Sequence, residues 1–189
     1  MPNEKLKGIG QATFLGNLGY SSGGVCYYMC NFIESEKGPW DQPKTFAAAK
    51  QSGKDFSQYA AMMNHAKAKN LEARAGKRLP QRDGYQNVAG ALENNQIYRI
   101  WVWVGEAGKA PRDAADVNHE IIAVTGAGDE VVYFEPNFGF FAPSAQGASN
   151  RVALERFIRE QYTANNYHAE NFGYRKVRGL DQATPKTTQ

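Results

Sequence analysis

Two side chains in this sequence can serve as a thiol nucleophile, Cys26 and Cys30, and three can serve as an imidazole base, His65, His119 and His168. Cys26 follows Ser21, Ser22, Gly23 and Gly24 and stands in the first turn of a helix expected from Val25 to about Glu34. In that turn unpaired backbone amides and the positive end of the helix dipole favour a thiolate. Glycines just before it let a backbone amide face a developing oxyanion. The same residue also fits the plainer role of a small buried hydrophobe, the usual fate of a lone cysteine. Cys30, one turn further on between Met29 and Ile33, fits that plainer role better. Four residues apart on one helix face, the two thiols are badly placed to form a disulfide with each other.

The histidines differ in the same way. His65 lies among Asn64, Lys67 and Lys69, and His168 lies in the polar run Asn165 to Asn171, so both read as surface residues. His119 opens an apolar strand, a place for a merely structural histidine but also one where an active-site base is held rigidly. Glu120 to Thr125 and Glu130 to Phe134 read as two strands of a hairpin around Gly126, Ala127, Gly128 and Asp129. If Thr125 faces Glu130, or the register is one residue tighter, Glu135 falls opposite His119 or within one residue of opposite. Side chains so placed are about 5 Å apart. A carboxylate there can accept the imidazole N–H, fix its tautomer and stabilise the imidazolium. The alternative is an idle surface pair. Together the three side chains make a cysteine, histidine and carboxylate arrangement suited to acyl transfer.

The elements that must carry these residues change character along the chain. The segment through Gly24 is glycine-rich and reads as extended and irregular. Cys26, Met29, Cys30 and Ile33 recur at helical spacing. Gly38, Pro39 and Pro43 force a turn around Trp40, and Phe46 to Lys50 and Asp55 to Leu71 read as helices, with Asp55 starting the second. Ile97 to Val104 is β-branched and aromatic throughout, a strand. Pro136 to Pro143 continues the sheet after a bend, Asn150 to Thr163 reads as an amphipathic helix capped by Asn150, and Tyr167 to Val177 as a last strand. Helices first and strands later predict an α+β class, as one domain over residues 1–180 with a polar, disordered tail over 181–189.

Composition narrows the classes further. A net charge of +3 with scattered Lys and Arg argues against a nucleic-acid partner. No apolar run approaches the roughly 18 residues of a transmembrane helix, and Met1 to Gly10 has no apolar run of signal-peptide type. Two cysteines and three distant histidines exclude a zinc finger, so neither a metal nor another cofactor is expected.

Gly24-Val25-Cys26 opening a helix, a later strand His119-Glu120-Ile121-Ile122, and Phe134-Glu135-Pro136-Asn137-Phe138-Gly139 together resemble the YopT/AvrPphB family of bacterial effector cysteine proteases, within the papain-like clan. The resemblance spans roughly Gly23 to Phe141. It implies a papain-like fold, with a nucleophile-bearing helix packed on a mostly antiparallel sheet, and roles for Cys26 as nucleophile, His119 as general base and acid, and Glu135 as orienting acid. Glu135 stands where the family usually has Asp. The family's oxyanion donor, a Gln or Asn five or six residues before the cysteine, is replaced by Tyr20 and Ser21, so a hydroxyl of Ser21 or Ser22 would join the Cys26 amide. Trp40, Asn137 and Phe138 are candidates to line a substrate cleft. The implied activity is hydrolysis of a peptide bond in a protein substrate through a thioester. Glutamine deamidation, transamidation, cell-wall peptide hydrolysis or a non-catalytic binding module would use the same framework. The resemblance also implies delivery into a target cell by a specialised secretion system, with a neutralising partner protein in the producer if that target is a competing bacterium; the alternative is a cytoplasmic enzyme.

Overall fold

The structure, a computed structural model, describes residues 3–9, 25–35, 37–77, 83–113 and 116–180. The tail over 181–189 and the glycine-rich approach to Cys26, with Ser21 and Ser22, lie outside these residues.

A strand that is apolar at nearly every position is stable only when both of its faces are covered, and the architecture meets that condition. Among the described residues six strands form one antiparallel sheet: β1 (Glu4–Gly8), β2 (Gln96–Glu106), β3 (His119–Thr125), β4 (Val131–Glu135), β5 (Gly139–Ala142) and β6 (Tyr167–Gly179). Their order across the sheet is β1-β5-β4-β3-β2-β6. Three helices, α1 (Val25–Glu34), α2 (Phe46–Lys54) and α3 (Tyr59–Ala75), supply one layer, and α4 (Asn150–Thr163) supplies the other. Alternation along the strands feeds two cores. Ile122, Val124, Val132, Phe134 and Phe140 pack with Met29, Ile33, Trp40 and Met62. Ile121, Ala123, Val131, Tyr133 and Phe141 pack with Leu154, Ile158 and Tyr162. The α+β class is therefore as expected from the sequence.

Several local expectations change. The amino-terminal segment contributes a true edge strand, because β1 pairs with β5. Asp55 closes α2 instead of opening α3: its N–H bonds to Gln51 O at 2.9 Å. Residues 56–58 then form no regular structure, and Phe56 buries its ring against Phe134 and Phe140. Ser149, not Asn150, caps α4, accepting from Val152 N at 3.3 Å. Asn150 is fully buried and bonds Leu92 N and Leu92 O, a polar clasp on a segment without regular structure.

The hairpin register also differs. Gly126 N bonds Glu130 O at 2.9 Å, so the loop proper is Ala127, Gly128 and Asp129, with Gly128 at φ +62. Thr125 then faces Val131 and Ile122 faces Phe134, each one residue beyond the expected partner.

Phe140 is fully buried, with the rings of Trp40, Phe56 and Phe134 around it. Phe140→Ala should cost about 3–5 kcal/mol. Leu71→Ala, at a side chain 69 % exposed, should cost under about 0.5 kcal/mol. Urea unfolding of both variants checks the contrast.

Candidate active site

α1 lies across the start of β3: the Cys30 thiol donates to Glu120 O at 3.6 Å. One turn earlier on the same face, Cys26 lies near enough to His119, the strand's first residue, to favour the protonated form of its ring. The two thiols have different surroundings. Cys30 has no exposure, and burial pushes its ionisation well above the ordinary thiol range. Cys26 retains 4 % and stands in the first turn of the helix, where free amides and the dipole act.

His119 is held at the head of β3 by pairing with Val102. Just before it, Asn118 imitates a rung of the sheet: its Oδ1 accepts from Val104 N and its Nδ2 donates to Val104 O, both at 2.8 Å. This anchor was missed in the sequence. The only sign of it was an amide side chain at a strand's threshold.

Glu135 ends β4. The shifted register places it diagonally from His119, on the same face, rather than directly across. The additional methylene of Glu relative to Asp covers that diagonal, and Glu135 Oε1 meets His119 Nε2 at 2.6 Å. The same oxygen accepts from Asn137 N at 3.1 Å, across the turn that joins β4 to β5. Gly139 makes that turn possible. It pairs with Glu135 at φ +116, and a Cβ there would lie 2.0 Å from Lys7 O. With Nε2 given to Glu135, Nδ1 is the ring nitrogen left for Cys26.

The third layer also takes part. Tyr162 of α4 accepts from Asn137 Nδ2 at 2.7 Å and sets its ring edge-on to His119, with centroids 6.1 Å apart. Burial and then the Glu135 charge push the Tyr162 phenol well above its ordinary range, so it stays neutral. Tyr162 was not singled out in the sequence, where it looks like one more apolar position of an amphipathic helix. Burial alone would lower the His119 pKa. The Glu135 carboxylate and then the Cys26 thiol more than offset this and hold the imidazole well above its usual value.

The structure thus brings Cys26, His119, Glu135 and Asn137 together. Phe138 packs edge-on against Tyr162 at 5.2 Å, close to this group. Trp40 does not join it: it is fully enclosed, bonds Ala49 O through Nε1 at 2.8 Å and packs on Phe140, so as a core residue it cannot line a cleft. Ser21 and Ser22 lie outside the described residues. The other histidines are engaged elsewhere, His65 against the Phe32 ring and His168 with Lys109 O and the Trp103 ring. Among the described residues no three metal-ligating side chains converge, and no helix is long and apolar enough to cross a membrane.

Comparison of the chain with protein-family models, with curated proteins and with solved structures gives no match.

Because the folded-state pKa of His119 is raised, its contribution to stability is fully present below the unfolded value of 6.5 and is lost as pH rises through the folded value. Melting temperatures of wild type and His119→Gln across pH should differ most below that value and converge as pH rises. Tyr162→Phe strands the buried Asn137 amide and should cost about 1–3 kcal/mol in urea unfolding.

Proposed function

We propose that this chain is a thiol hydrolase of papain-like type that cleaves a peptide bond in a protein substrate. One observation carries the reading: a cysteine in the first turn of a helix, a histidine at the head of a strand and a glutamate at the end of the next form one continuous buried line. The order of the motifs around Cys26, His119 and Glu135, shared with the YopT/AvrPphB family, supports the same assignment and an effector role.

The chemistry follows from that line. Cys26 passes its proton to His119, and the resulting imidazolium is stabilised by Glu135. The thiolate attacks the substrate carbonyl, and the amide at the start of α1 faces the oxyanion, with Ser21 or Ser22 as second donor. His119 then protonates the leaving amine as the C–N bond breaks and a thioester forms. Water, deprotonated by His119, attacks the thioester and releases the acid and the thiol. Glu135 holds the imidazole in one tautomer throughout.

An epoxide of the papain-inhibitor type, read by intact mass, should add one label to wild type and to Cys30→Ala and none to Cys26→Ala. Absence of label on folded wild type would sink the hydrolase reading. Target-cell extract incubated with wild type, against Cys26→Ala, should yield newly cleaved proteins; substrates that stay whole but gain acid groups would make the enzyme a deamidase. Glu135→Gln should lower the rate by roughly 10–100-fold, as loss of an orienting partner does.

A further inference from the structure

We propose that Arg99, on β2, is a positioning residue that sets the alignment of Cys26 with His119; this rests on the hydrolase reading. Arg99 is fully buried, in the middle of an otherwise apolar strand. Burying a guanidinium is costly unless every donor is met, and here its partners lie immediately beside the two reacting residues. Nη2 donates at 3.0 Å to the carbonyl of Tyr27, the residue after Cys26. Nε donates at 2.8 Å to the carboxylate of Glu120, the residue after His119. Nη1 reaches further along α1, to Asn31 Oδ1 and Glu34 Oε1, both at 2.8 Å.

Tyr27, Asn31 and Glu34 recur at helical spacing, so one guanidinium grips a whole stripe of α1 while its other edge holds the head of β3. The Tyr27 ring lies over the guanidinium, 4.9 Å from the ring centroid. The Glu120 oxygen that takes Arg99 Nε, Oε1, also accepts from the Tyr85 hydroxyl at 2.5 Å, and Arg175 of β6 sits over the Tyr85 ring at 5.2 Å. Arg99 touches neither the thiol of Cys26 nor the imidazole of His119. It fixes the two backbones that carry them, the helix on one side and the strand on the other. A lysine is a point donor on a flexible stem and cannot span all four contacts.

The test is the pH dependence of Cys26 alkylation by iodoacetamide, located by peptide mass, in wild type, Arg99→Lys and Glu34→Gln, with circular dichroism and melting temperature recorded alongside. An aligned pair keeps wild-type Cys26 reactive below neutral pH. Arg99→Lys should move the low-pH limb up by about one unit, so that alkylation near pH 6 slows roughly tenfold. Glu34→Gln should move it in the same direction by less. Folded variants with a wild-type limb, even with a lowered melting temperature, would overturn the proposal and leave Arg99 only structural. Should Arg99→Lys not fold, Glu34→Gln and Asn31→Ala, at partly exposed positions, decide it by the same limb. Wild type reacting only as an ordinary thiol overturns the hydrolase reading itself, and the proposal with it.

Discussion

Taking a histidine and a glutamate out of water together is tolerable only if they answer each other, and this requirement organises the centre of the molecule. His119 and Glu135 retain 2 % and 0 % of their side-chain exposure, and their 2.6 Å contact offsets the cost of burial. The pair constrains its neighbours in turn. β3 must begin and β4 must end on the same face, the Pro136–Asn137 turn must return an amide to Glu135, and Tyr162 must meet the Asn137 side chain from the opposite layer. The Arg99 cluster solves the same problem with opposite geometry. There a single cation, rather than a single pair, is satisfied by four acceptors drawn from a helix and a strand.

The residues of the candidate site were legible in the sequence because each carries a local signature: glycines before a cysteine, a histidine heading an apolar run, a glutamate leaving one. Their distance was harder to read. A loop of four residues and a loop of three look alike in Gly126 to Asp129, and only the Gly126 to Glu130 hydrogen bond distinguishes them. That single residue of register changes which face Glu135 takes, and it makes the longer carboxylate a fit rather than an anomaly. Side chains that act as backbone were not legible for a related reason. Asn150 reads as a cap residue and Asn118 carries no signal beyond an amide before a strand, but each closes a gap between distant segments, and such pairings are set by tertiary contact. Trp40 shows the converse: an aromatic in a turn between prolines, and a candidate for the cleft, packs inward against Phe140.

The helical layer follows similar logic. α1 has an apolar stripe for the core and a polar stripe for Arg99, so its rotation about its own axis is fixed from two directions. α3, in contrast, leaves Tyr59 and Leu71 exposed and makes fewer demands on its neighbours. Precision is concentrated where α1 meets β2 and β3.

The contribution of Tyr162 has a consequence in time. A chain made from its amino terminus produces Cys26 before His119 and Glu135, and Tyr162 only with α4. β6, which closes the sheet by pairing along nearly all of β2, follows later still. The arrangement of thiol, imidazole and carboxylate therefore lacks its supporting layer in any chain that stops short of α4. Without α4 the Tyr162 hydroxyl that holds the Asn137 amide beside the histidine is missing, so the last layer to be made completes the site's polar network.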